Sequence, residues 1–211
     1  MKENEIADIF SSYNEIKNQI EKKLYSFAKK GKKLSGPDIF NEICFCILTP
    51  QSKAETCWRC VKQLSRTKTL TRGTKNQIQK YLNGVRFYKT KSESIVKVRG
   101  LLQEIINTLK KEKDVIKIRN YLVKNVKGIG MKEATHFLRN IGRSEDLAIL
   151  DRHILRKLYK LKIIKNIPKS LTPKQYLEIE KRMQKFADKI GIKVSHLDFV
   201  FWYQETKRIF K

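Results

Sequence analysis

The chain has 211 residues, 40% of them hydrophobic, enough apolar surface for one or two small domains. Lysine and arginine total 47 against 21 for aspartate and glutamate, a formal charge of +26, which excludes an ordinary neutral metabolic enzyme and favours nucleic acid, ahead of an anionic membrane, as partner. The longest apolar run, Ile43 to Leu48, is too short for a bilayer and the polar start Met1-Lys2-Glu3 lacks a signal-peptide core, so an intracellular chain with no membrane partner is expected.

Helical periodicity runs through the whole sequence. Ile6, Phe10, Tyr13, Ile16, Ile20, Leu24 and Phe27 recur at intervals of three and four, predicting a first amphipathic helix that Gly31 ends. Ser35-Gly36-Pro37-Asp38 reads as a turn and helix start, followed by a mostly buried helix over Ile39 to Thr49 that stops before Pro50. Ser52 is placed as the cap of a helix through Cys57 and Leu64, and Arg66 to Lys75 as a basic loop. Short helices are predicted around Ile78–Leu82, Ile95–Leu109 and Val115–Val123.

A glycine turn comes next, in Val126-Lys127-Gly128-Ile129-Gly130-Met131-Lys132-Glu133-Ala134, and opens a helix to about Asn140 with Gly142 as C-cap. Asp151 caps a helix carrying Ile154, Leu155 and Leu158. Pro173 opens another through Tyr176, Ile179, Met183 and Phe186 that Gly191 closes, and a final aromatic helix is read over Val194 to Phe210. No strand alternation or internal repeat appears. The fold class is therefore all-α, with roughly nine to eleven helices. The expected division is a central lobe over residues 37–150 and a composite lobe from 1–36 plus 151–211, with a cleft between them as the natural site.

Four cysteines, Cys44, Cys46, Cys57 and Cys60, crowd one stretch. Cys57 and Cys60 have a ligand-like spacing, but Cys44 and Cys46 point about 200° apart on a helix. Buried reduced thiols are the expectation.

The glycine turn and Asp151 carry the most chemical information. Glycines one residue apart allow a tight turn with exposed N–H groups, and the helix that follows aims its positive end the same way, a grip for a phosphate. Lys132 lies on that helix's first turn, and Asp151 follows after one helix and a return loop, so an amine and a carboxylate can face one another beside a bound backbone. Read blandly, Lys132 is one more solvated lysine and Asp151 only an N-cap.

The run Lys127-Gly128-Ile129-Gly130-Met131-Lys132-Glu133-Ala134-Thr135-His136-Phe137-Leu138-Arg139-Asn140, followed by Ile149-Leu150-Asp151-Arg152-His153, resembles the helix-hairpin-helix DNA glycosylases. Within them it is similar to the type-2, archaeal-type 8-oxoguanine DNA glycosylase/AP lyases. Cys46-Ile47-Leu48-Thr49, Arg86-Phe87-Tyr88 and the block from Trp202-Tyr203 to Lys211 extend the likeness to nearly the whole chain. The resemblance implies two helical lobes with the hairpin bordering their cleft, and a bifunctional repair enzyme that flips a damaged nucleotide out of duplex DNA. Lys132 is then the Schiff-base nucleophile and Asp151 its charge-stabilising partner. Gly128, Gly130 and His153 contact the DNA backbone, Gln51 fills the gap in the stack, and Phe87, Trp202 and the carboxylate and amine of Lys211 form the base pocket. For His153 a bond to backbone within the fold is an equal reading, while His136 and His196 are read as packing or surface residues.

By the same resemblance the carbonyls of Lys124, Val126 and Ile129 are candidates for a K⁺ or Na⁺ ion, and no cofactor is required. The cluster-binding cysteines of the related endonuclease III have no counterpart after Cys60, so no iron–sulfur cluster is expected. Pro50-Gln51 departs from the Ala-Asn more usual in this subfamily. The expected partner is double-stranded DNA with an oxidised base, met by a monomer. The same mechanism on another oxidised base, and a non-catalytic helix-hairpin-helix DNA-binding module, remain alternatives.

Overall fold

The computed structural model describes residues 3–211, which form eleven helices with no strand among them. In chain order these are α1 (Glu3–Lys33), α2 (Gly36–Leu48), α3 (Ala54–Arg66), α4 (Thr69–Arg72), α5 (Lys75–Gln79) and α6 (Tyr88–Lys111). Then follow α7 (Val115–Asn125), α8 (Met131–Asn140), α9 (Arg152–Lys160), α10 (Pro173–Ile190) and α11 (Val194–Thr206).

Several boundaries differ from the sequence reading, each for a local reason. Gly31 does not end α1. A Cβ there would lie 1.7 Å from the Ile141 carbonyl oxygen, so the glycine permits a close crossing beneath a helix that continues to Lys33. Ser52 caps nothing. Lys53 is the N-cap of α3, and the Ser52 hydroxyl accepts instead from the Arg86 N–H at 3.0 Å. The basic stretch after α3 contains α4, entered through Lys68 in left-handed conformation, and the short helix expected around Ile78–Leu82 is α5, which starts earlier, at Lys75, because Thr74 and Gln77 open it with a reciprocal capping box. α6 starts at Tyr88 rather than near Ile95, and α11 stops at Thr206, where Lys207 turns left-handed (φ 54°) and frees the last residues to cross the surface.

The buried side chains form two clusters. One draws on residues from Ile39 to Leu147, with α2 at its centre, buried from Ile39 through Leu48 except Asn41. The other combines Ile9, Ile16, Ile20 and Phe27 of α1 with residues from Ala148 to Phe201. Each large apolar side chain so buried contributes about 1.5–3 kcal/mol. All four thiols are buried and reduced. Desolvation raises each above its ordinary pKa, Cys57 to about 11, so they remain protonated parts of the first core.

Buried polar ties join the two clusters. Arg119 of α7 donates to both oxygens of Glu180 in α10 at 2.8 and 2.9 Å, and Glu180 also accepts from the Ala148 N–H at 3.0 Å. Among the described residues no helix is long and apolar enough to cross a membrane.

Candidate active site

α7 ends at Asn125, and the Ile129 N–H donates back to the Val126 carbonyl at 3.1 Å, closing a tight turn. Gly128 has φ +88°, a conformation that side chains avoid, and a Cβ there would press on Ser94 Oγ at 3.2 Å. Gly130 is different. Its backbone is extended (φ −98°, ψ −172°), and what it needs is room beside Glu133, whose Oε2 accepts the Gly130 N–H at 3.2 Å. The Gly130 amide, expected to face DNA, is therefore engaged by the chain's own carboxylate, whereas Gly128 is exposed.

Ile129 packs into the first core and Met131 against the second, so the hairpin runs along the seam between them. Lys132 emerges from the first turn of α8 with its side chain 22% exposed, and its Nζ lies 3.0 Å from Glu133 Oε1. Glu133 thus holds the turn with one oxygen and the amine with the other. Its signal in the sequence is an acid at the third position of a helix, which by itself is ordinary capping chemistry and marks no site.

Asp151 is the N-cap of α9, with Oδ1 accepting from the Ile154 N–H at 2.9 Å. Lys132 and Asp151 both lie within electrostatic range of one buried group, the carboxyl of Asp198 on α11. Burial pushes Asp198 up to about 7. The paired Arg139 guanidinium opposes that rise, Asp151 adds to it and Lys132 opposes it. Arg139 in turn reaches Asn140 Oδ1 at 3.2 Å, and Asn140 donates to Glu42 Oε1 at 2.8 Å. A chain of polar groups thereby leads from the seam into the centre of α2. Asp198, Arg139 and Glu42 lie in apolar or basic stretches that gave no sequence sign of this convergence.

His153, on the first turn of α9, shares a hydrogen bond between Nδ1 and Glu205 Oε2 and stands edge-on to Trp202 at 5.1 Å between ring centres. Its partner is a side-chain carboxylate, not the backbone expected of a merely structural histidine. The Trp202 Nε1 is buried without a partner. His136 packs edge-on to Phe45 at 5.5 Å, with burial holding its pKa well below the usual range, and His196 bonds Tyr13 at 3.1 Å, as the packing reading anticipated.

Gln51 and Phe87 occupy two neighbouring loop tips. Both are exposed, Phe87 by 56%, and both adopt positive φ, 54° and 57°. Non-glycine residues take that conformation at a cost, and such strain concentrates where a chain grips a ligand. The Arg86 guanidinium lies 5.4 Å from the Phe87 ring centre.

The Lys211 amine faces inward. Nζ sits 3.2 Å from the Trp58 ring centre and 2.7 and 3.0 Å from the two oxygens of fully buried Glu42. Glu42 also accepts from Lys30 at 2.9 Å. The Lys211 amine, expected to read a base, is engaged here by Glu42 and Trp58. Two shallow depressions, one beside Gln19, Lys22 and Ile209 and one beside Lys68, Arg72 and Lys80, border neither Lys132 nor Asp151.

Residues 20–192 match the model of a family described as 8-oxoguanine DNA glycosylase. The chain is 40% identical to an 8-oxoguanine DNA glycosylase/AP lyase of Fusobacterium nucleatum over the whole of both chains, and 41% identical to one of Methanocaldococcus jannaschii over 94% of each. Among solved structures it superposes on the Methanocaldococcus jannaschii enzyme in complex with a 15-mer DNA containing 8-oxoguanine, with a TM-score of 0.90, 37% identity and coverage of 98% of this chain and 99% of that one. A trapped endonuclease III–DNA intermediate, 18% identical with a TM-score of 0.58, shares the fold. With its hairpin lysine and capping aspartate at the seam of two helical cores, the chain belongs to the 8-oxoguanine DNA glycosylase family of helix-hairpin-helix proteins.

Proposed function

We propose that the chain excises 8-oxoguanine from double-stranded DNA and then cleaves the strand at the resulting site, acting as a monomer. What supports this reading is the chain's membership of the 8-oxoguanine DNA glycosylase family, together with Lys132 on the first turn after the glycine hairpin and Asp151 at the N-cap of α9. The target carbon is inaccessible inside a stacked duplex, so the nucleotide is turned out. The hairpin around Gly128 grips the backbone, and His153, fixed by Glu205, adds a phosphate contact. Gln51 enters the vacated stack, Phe87 and Trp202 sandwich the base, and Lys211 closes one side of its pocket.

Lys132 must be neutral to attack, so its ammonium passes a proton to the Glu133 carboxylate, 3.0 Å away, before the step. Nζ forms a bond to the anomeric carbon, and the bond from that carbon to the base breaks with its electron pair leaving on the base, which takes a proton. Asp151 stabilises the positive charge that builds on the sugar. The sugar ring opens to a Schiff base on Nζ. Loss of a proton from the adjacent carbon then expels the 3′ phosphate by β-elimination, and water frees the lysine.

The turn also suits a weakly held K⁺ or Na⁺. The Val126 carbonyl accepts one N–H and retains a lone pair, and the Lys124 and Ile129 carbonyls flank it along the same turn. A cation there would add positive charge beside the DNA backbone. The chemistry described needs no other cofactor.

Borohydride trapping on lesion-containing duplex tests the reading. Wild type is expected to form a covalent adduct and Lys132→Gln none, with DNA binding retained. Asp151→Asn is expected to lower single-turnover excision by roughly 10²–10⁴-fold. Absence of a wild-type adduct leaves a DNA-binding module. Preference for a different oxidised base in a panel of lesion duplexes reassigns the substrate, and equal cleavage of 8-oxoguanine and guanine rejects it.

A further inference from the structure

The loop after α2 and the loop before α6 are joined by one buried lysine with no part in the chemistry above. Lys91 lies in the first turn of α6 and is only 7% exposed. Its ammonium donates to the Leu48 carbonyl at 2.7 Å, the Pro50 carbonyl at 2.6 Å and Ser52 Oγ at 3.1 Å. An ammonium has three donors, and all three are engaged by the segment that flanks Gln51. Leu48 is the last residue of α2, where helix carbonyls present partial negative charge to a cation. Ser52 Oγ also accepts the Arg86 N–H, which ties the same node to the residue before Phe87.

Gln51 and Phe87 are thus two exposed side chains on strained backbones, held to a common support. Strained conformations persist only where surroundings over-determine them, and here the surroundings are Lys91 and Ser52. An exposed anchor would be solvated and loose. A buried one with every donor bonded is rigid, as a group entering a base stack must be.

We propose that Lys91 is a positioning residue that locks the Gln51 tip, which enters the base stack, against the Phe87 tip, which receives the displaced base. The proposal rests on the base-flipping part of the reading above and is independent of the bond chemistry. Lys91 touches neither base nor sugar. The charged and titratable groups facing it are Arg86, the Cys57 thiol, Glu133 and Lys132. Burial lowers Lys91 to about 8, so the anchor weakens as its proton leaves.

The test uses duplex DNA with an uncleavable abasic analogue opposite 2-aminopurine, whose fluorescence rises when it loses its stacking. Measurements are made at protein concentrations that saturate the DNA for each variant. Wild type is expected to raise the fluorescence, Lys91→Met to lose about four-fifths or more of that rise, and Lys91→Arg, which keeps charge and donors, to restore most of it. Above pH 8 the wild-type rise should fall, while that of Lys91→Arg should hold. Ser52→Ala, which removes one acceptor and the Arg86 link, should lie between and serves if Lys91→Met does not fold. A wild-type rise in Lys91→Met or Ser52→Ala, or failure of Lys91→Arg to restore it, overturns the proposal. Because nothing is cleaved in this assay, a wild-type enzyme that unstacks the probe yet releases no 8-oxoguanine refutes the function without touching this inference.

Discussion

Glu42 is a single acid in the apolar run of α2, yet it gathers Lys30, Asn140 and Lys211 around one carboxylate. Removing its charge leaves the Lys211 ammonium, whose side chain is 9% exposed, without a counter-ion. Glu42→Gln is therefore expected to cost about 3–5 kcal/mol, read as a fall in the urea midpoint at constant slope. Lys211 itself gives a pH signature. Burial lowers it to about 8 from 10.5, so the native chain sheds this proton first and the unfolded chain binds more protons between those values. The Lys211 contribution to stability accordingly rises with pH across that window, and the difference between wild type and Lys211→Met should change there and be flat below pH 7. None of this was legible in the sequence, because Asn140 and Lys211 lie 98 and 169 residues from Glu42, Lys30 lies 12 away on another helix, and periodicity reports only a helix's own faces. Asp151 was legible because its cap partner, Ile154, is three residues on.

α1 and α8 cross where two glycines remove the side chains that would hold them apart. A Cβ on Gly31 would meet the Ile141 carbonyl oxygen at 1.7 Å, and one on Gly142, at φ +64°, would lie 2.3 Å from Ala28 Cα. Gly191 has nearly the same φ, +66°, but a Cβ there would meet nothing within 4 Å. Alanine substitution separates the two causes. Gly191→Ala should cost about 1 kcal/mol of backbone strain, whereas Gly31→Ala and Gly142→Ala must move backbone and should each cost more than about 3 kcal/mol by urea denaturation. Equal losses at all three positions would mean the crossing is not the constraint. The same contrast explains the sequence reading. Gly142 and Gly191 follow helix ends and were recognised there, but Gly31 serves a neighbour far along the chain and imitates a stop. The early start of α6 was hidden in a similar way, because its first turns bury Lys91, Ser92 and Ser94, polar residues that break an apolar stripe.

At the scale of the whole molecule, the excess of cations is far larger than the few that meet a substrate. Many are held internally or by neighbours, as Lys127 and Lys97 are by Glu93, whose carboxyl those two ammonium groups pull down to about 2. The all-α fold was readable because amphipathic stripes are local, and the hairpin because its glycines, lysine and aspartate are closely spaced. Which lysines face DNA was not, since +26 of net charge marks a polyanion partner without marking a surface. Salt dependence can sort them. If about six phosphates are neutralised, log affinity for duplex should fall against log salt with a slope of about −5. Lys124 is exposed beside the hairpin, and Lys124→Gln should reduce that slope by about 0.9, one released counter-ion. Lys189 is also exposed, but it sits at the far end of α10 from Tyr176, whose hydroxyl bonds the segment leading to Asp151. Lys189→Gln should weaken binding slightly through the general field and leave the slope unchanged. Fluorescence anisotropy across a salt series resolves the two. Equal slope losses for both variants would mean that DNA binds to diffuse charge rather than to the hairpin face.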